Sequence, residues 1–342
     1  MKNLVLLIVA AGAALPIESH AQASDAPGER VAGLIAFDPK HDRVVVYGGK
    51  LFGPNANPLD ADPHTYAWDG RRWSVIAQAG PRSRDEIAYG VDPRDGSIIL
   101  VNGRGQGEPP PPGTAGPRIR ERIPFRETWT FNGTAWTRRD TLGPEGGASP
   151  QAAFDVARGR LVFFGGAIGN SGRGPLQLAT WEWDGKRWTR FDVAGPPGRT
   201  GHVMAYDAKA RHVIMHGGVR SADRTPLTDT WAWNGKSWKL LTPTGPRTIF
   251  GAAATDPDSG IVVFGGHQMG SSTDDTWYWN GSTWSTITAK GPSARTFNGM
   301  ATDMQRKRVY LYGGSAEAGG DSLGDLWYLD NRKTWVRVSP RE

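Results

Sequence analysis

The feature that most constrains this chain is repetition. An apolar run ending in paired glycines recurs as VVVYGG at Gly48, LVFFGG at Gly165, VIMHGG at Gly217, VVFGG at Gly265 and YLYGG at Gly313, with Asn102-Gly103 at that place in the second copy. A hairpin follows each run: TYAWDGRRW, TWTFNGTAW, TWEWDGKRW, TWAWNGKSW, TWYWNGSTW and LWYLDNRKTW. All 15 tryptophans lie in these six hairpins. An arginine stands eighteen residues before the first glycine at Arg30, Arg84, Arg199, Arg247 and Arg295, with Gly147 in the third copy. The constant spacing implies two strands between the anchors that tolerate no insertion. A unit of about fifty residues cannot bury its apolar face alone, so the copies must stack.

Within each copy, apolar runs of five to seven residues alternate with turns rich in Asp, Asn, Gly and Pro, which reads as four short antiparallel strands. Asp-Gly and Asn-Gly inside the tryptophan hairpins are favoured tight-turn pairs. Gly 46 and Pro 25 supply the many turns, and although only 38% of residues are hydrophobic, the tryptophans bring large buried area. The expected fold class is all-β, a six-bladed propeller of four-stranded antiparallel blades over about residues 30–79, 82–142, 147–194, 199–244, 247–290 and 295–339.

The arginine-led inner strand, the Gly-Gly after the second strand and the tryptophans of the third and fourth resemble Kelch repeats, across nearly all of residues 30–339. Many Kelch propellers complete one blade from both termini. This chain holds six whole blades in sequence order, so closure is expected from packing of the first against the last. The resemblance also implies ligand binding at the inner-strand starts.

The start of the chain carries a different pattern. Met1-Lys2-Asn3, the apolar run Leu4 to Leu15 and Ala21-Gln22-Ala23 have the three-part order of a signal peptide, expected to end at residue 23. Twelve apolar residues are too few to span a bilayer. The expected product is a periplasmic or secreted monomer, with no membrane insertion after signal removal and no nucleic-acid partner. With Cys 0 there is no disulfide framework and no cysteine nucleophile.

Strand parity selects a face. The loops after strand two share one edge, the front, with the arginines, whereas the turns after strand one, such as Asp38 to Asp42, lie at the back. Front segments are long, notably 50–64 and 104–127, and variable loops on a rigid scaffold commonly carry function. The basic excess of +6 favours an anionic partner. The candidate ligand residues are therefore Arg30, Arg84, Arg199, Arg247 and Arg295, whose forked donors suit carboxylate, sulfate or phosphate, with Asp85 beside Arg84 and His202 in blade four. The competing reading gives these arginines a structural role in each blade, and Glu127, Asp229, Asp275 and Asp325 before the third strands read as loop anchors. His202 is expected across from His216, yet the residues equivalent to His216 are core fillers, so no metal site and no cofactor are expected.

Two functions remain open. One is a binding propeller for an anionic small molecule, an acidic glycan or a protein partner. The other is an enzyme on an acidic sugar, on the resemblance to periplasmic Kelch-type sialic acid mutarotases. Galactose-oxidase-like copper chemistry is excluded, because its cofactor needs a cysteine.

Overall fold

The computed structural model describes residues 26–50, 62–106, 122–169, 174–220, 225–268, 270–317 and 320–338. The expected signal peptide at 1–23 and most of the long front segments 50–64 and 104–127 therefore lie outside the described residues. The described residues form strands and turns, and among them no helix is long and apolar enough to cross a membrane.

Six four-stranded antiparallel sheets follow one another, each built from one continuous stretch of chain. The inner strands are Leu34–Asp38, Ala88–Asp92, Gln151–Asp155, Val203–Asp207, Ala252–Thr255 and Gly299–Asp303. Blade four illustrates the pattern, with His212–His216, Thr230–Trp233 and Trp238–Thr242 completing the sheet. Each inner strand packs on its neighbours around a central channel, including the first on the last.

The cores lie between blades. One cluster joins Ala153, Val162 and Phe164 of blade three to Met204, Tyr206, Val213 and Trp233 of blade four. The indole of a fourth-strand tryptophan donates to the threonine that opens the third strand of the preceding blade: Trp136 to Thr65, Trp188 to Thr128, Trp238 to Thr180, Trp284 to Thr230 and Trp335 to Thr276, at 2.7–3.0 Å. A buried indole N–H needs a partner, and the neighbouring blade supplies it.

The junction of blades six and one has Leu326 where the other blades have threonine. Closure there rests on apolar packing of Ile35, Val46 and Trp68 against Tyr310, Tyr312 and Leu326. Backbone bonds reinforce it, from Ala32 N–H to Phe297 O at 2.8 Å and from Gly314 N–H to Arg30 O at 2.8 Å. At the back, Arg306 pairs with Asp42 across the same junction.

The back turns share one cap. Asp38, Asp92, Asp155, Asp207, Asp256 and Asp303 end the inner strands or directly follow them, and all six are buried. Their carboxylates accept backbone N–H groups two or three residues on, as in Asp207 to Lys209 and Ala210. These short capped turns hold the back rigid and leave variation to the front.

Candidate functional site

The repeated arginines sit at the front edge, and four of them are buried. Arg30, Arg84, Arg199 and Arg295 are 0–5% exposed. Each donates from Nη1 to the carbonyl eighteen residues on: Arg30 to Gly48, Arg84 to Asn102, Arg199 to Gly217 and Arg295 to Gly313, at 2.9–3.0 Å. Each also meets a carboxylate of its own blade. Arg199 grips Asp229 at 2.7 and 2.9 Å, Arg295 grips Asp325 at 2.6 and 3.0 Å, Arg84 reaches Glu127 at 2.7 Å, and Arg30 pairs with Asp62. Burial works to raise the carboxyl pKa of Asp229 and Asp325, and the arginine donors more than offset it, holding both below the usual range. The expectation that these four form an open ligand ring is corrected accordingly, because their donors are already committed inside the fold.

The same arginines explain the paired glycines. The second glycine of a blade donates its N–H to the carbonyl of the next blade's arginine, as from Gly49 to Arg84, Gly166 to Arg199 and Gly266 to Arg295 at 2.8–3.0 Å. The first glycine has φ near +70°, and a Cβ on Gly165 would lie 2.5 Å from Arg199 O, so glycine is required where the next blade brings its arginine carbonyl this close.

Arg247 does not belong to this set. It is exposed and makes no hydrogen bond or ion pair among the described residues. Gly218 N–H donates instead to Thr248 O at 2.8 Å, so Thr248, 1% exposed, holds the place that arginine holds elsewhere. In blade three, where Gly147 replaces the arginine, the carboxylate before the third strand is also gone and Ala179 stands there.

His202 is likewise corrected. The register pairs Val203, not His202, with His216. The His202 ring faces Gly165 of blade three, and His216 bonds Thr230 at 3.0 Å and Pro246 O at 2.9 Å on the side of blade five. Both are fully buried, and burial pulls the pKa of His216 down to about 4 and that of His202 well below the usual value. Phe125 is buried beneath the Arg84 guanidinium at 4.2 Å. Among the described residues no cluster of three metal-ligating side chains occurs.

The open part of the front is the channel mouth. The channel is a cavity of about 500 Å³. Six equivalent residues rim it, each two places beyond an arginine or its substitute: Ala32, Glu86, Ser149, Gly201, Phe250 and Phe297. All six have φ between +48° and +64°. Backbone bonds run round the rim, from Glu86 N–H to Ala32 O, Gly201 to Ser149, Phe250 to Gly201, Phe297 to Phe250 and Ala32 to Phe297, at 2.7–3.3 Å. Bulky residues in left-handed conformations are uncommon and cluster at functional sites.

Because the scaffold demands only backbone here, the side chains are free to differ, and they divide the mouth into sectors. Blades one and two contribute Glu86 to the lining, with Lys50, Asp85, Arg104 and Arg122 grouped around it. Glu86 pairs with Arg104 at 3.3 Å and accepts from Ser149 at 3.0 Å, and Asp85 pairs with Arg122. Burial pushes the Asp85 carboxyl up to about 6, against the pull of Arg122 and Lys50 and with the help of Glu86. Lys50 is lowered by burial first and then by Arg122. Blades three and four present Ser149, Pro150 and Gly201, which are small and uncharged. Blades five and six present Phe250 and Phe297, stacked with ring centroids 4.5 Å apart. Beside them Asn298 lines the channel, 8% exposed, with neither amide atom hydrogen-bonded.

Of the sequence candidates, Asp85 adjoins the rim residue Glu86, but it is buried and does not line the cavity. Lys50, Ser149, Phe250, Phe297 and Asn298 escape sequence reading because they lie at positions where the repeat has no consensus. The usable signal is the third residue of the arginine strand, which reads Ala, Glu, Ser, Gly, Phe and Phe once the copies are aligned.

These features define a Kelch-type propeller with a chemically uneven front mouth. Residues 151–342, more than half of the chain, match the family model of the KLHDC2/KLHL20/DRC7 Kelch-repeats domain, and the chain belongs to the Kelch-repeat family. The solved structure of YjhT is similar, with a TM-score of 0.71 over 92% of this chain and 99% of that one, at 14% sequence identity. At that identity the likeness is one of fold. No curated protein matches the chain.

Proposed function

We propose that this is an exported propeller that binds an anionic small molecule or acidic glycan at its front mouth. The observation that carries the reading is the cluster of Lys50, Arg104 and Arg122 beside a cavity of ligand size. Among the described residues these cations gather around Glu86 and the buried Asp85, whose carboxyl holds a raised pKa, and their donors suit an anionic group. Asn298 supplies an uncommitted donor and acceptor for a ligand hydroxyl, and the phenylalanines supply an apolar face. The leader at residues 1–23 supports export.

The test is a thermal-shift screen of glucuronate, N-acetylneuraminate and sulfated saccharides against their neutral counterparts. Stabilisation by the acids alone supports the reading, and a screen in which no anion stabilises the protein rejects it. A second reading rests on Asp85. A carboxyl near pKa 6 next to the rim residue Glu86 can both give and take a proton near neutral pH, which is what isomerisation of an acidic sugar requires. It predicts that the protein accelerates anomer exchange of a bound acid, followed by NMR, and that Asp85→Asn abolishes the exchange.

A further inference from the structure

The side chains on the rim lean in one direction. Phe250 lies over Gly201, where an added Cβ would meet its ring at 2.6 Å. Phe297 then stacks on Phe250, with 26° between the ring planes. The next residue round the rim is Ala32, whose N–H bonds Phe297 O but whose methyl group is too short to cover the Phe297 ring. Phe297 is accordingly half-buried, and among the described residues neither a second ring nor a cation covers its other face. Beyond Ala32 comes Glu86, bonded to Ala32 O and paired with Arg104. Lys50 bridges to Val31, the residue beside Ala32.

Ala32 is thus the floor of a slot with an apolar ring on one side and charged groups on the other. We propose that this slot takes a ring-bearing anion, its ring stacked on Phe297 above Ala32 and its charge held by Lys50 and Arg104. The inference rests on the anion-binding reading of the mouth and adds a requirement for a ring, either a pyranose or a planar one. An open-chain acid has no rigid face to present and gains little from Phe297.

The experiment is calorimetric titration of glucuronate, a pyranose acid, and gluconate, its open-chain counterpart, into the parent, Phe297→Ala and Ala32→Phe proteins. Glucuronate is expected to bind the parent more tightly than gluconate. Phe297→Ala should weaken glucuronate by about threefold to tenfold, the worth of one aromatic contact, and leave gluconate unchanged. Ala32→Phe fills the slot and should remove the preference for the ring. It should also melt like the parent, because Phe250 and Phe297 already hold a phenylalanine at φ +56° and +54°, matching +56° at Ala32. Equal affinities for glucuronate and gluconate in the parent overturn the slot while leaving the anion site standing. If neither acid binds, both readings fall.

Discussion

Arg199 is fully buried, with its donors spent on Pro197 O, Gly217 O and both oxygens of Asp229. Truncating it leaves the Asp229 carboxylate without its counter-charge inside the blade edge. Arg199→Ala is therefore expected to cost about 3–5 kcal/mol of stability, as when one partner of a buried pair is removed. Arg247→Ala removes an exposed side chain that has no partner among the described residues and should change stability by no more than about 0.5 kcal/mol. Denaturant melts of the two variants side by side check this, and equal losses would contradict the division between clamp and surface arginine. Asp85 gives a pH test of the opposite sign. Its folded pKa of about 6 lies above its ordinary value of 3.8, so the folded state holds an extra proton between those limits. The contribution of Asp85 to stability is thus greatest below that window and falls as pH rises through it. Asp85→Asn should lack this fall, so its melting temperature relative to the parent should be higher at pH 7 than at pH 4. A constant difference across that range would contradict the assignment.

At the scale of the blade, the tryptophans carry the packing. Trp183, Trp233 and Trp279 end the third strands with no exposure, each tilted against the tryptophan that opens the fourth strand at 5.3–5.5 Å. Trp233→Ala should cost about 3–5 kcal/mol. Trp231, on the same strand, is only half-buried, and its truncation should cost less. Thermal melting of the pair checks the order. This element was legible in the sequence, because period-two alternation in TWAWNGKSW and a favoured turn leave little choice of structure. The start of blade five was not legible. Sixteen residues separate the rim residue from the first glycine in blade four, Gly201 to Gly217, but fifteen in blade five, Phe250 to Gly265. The tight turn at Asp256 to Gly260 is one residue shorter, so the eighteen-residue spacing falls on Arg247 while the backbone place belongs to Thr248. Only pairing with the neighbouring blade reveals such a slip.

The whole molecule is a ring in which the repeat supplies rigidity and departures from it supply chemistry. The fold follows from self-similarity and was readable apart from the slip at the start of blade five, whereas the mouth is built from residues that differ between copies and meet only after the ring closes. Lys50 and Phe297 are 247 residues apart in sequence yet flank the same rim residue, and no local pattern joins them. Anion binding at this mouth should strengthen as pH falls from 7 to 5, because protonating Asp85 removes a negative charge beside Lys50 and Arg122. The most direct test of the account is calorimetric titration of glucuronate into the parent and the Lys50→Ala protein at low salt. Losing one charge-assisted bond is worth about 1.5–3 kcal/mol, so the variant should bind at least about tenfold more weakly. Unchanged affinity in Lys50→Ala, or no binding to the parent, would contradict the claim that the uneven mouth is the site.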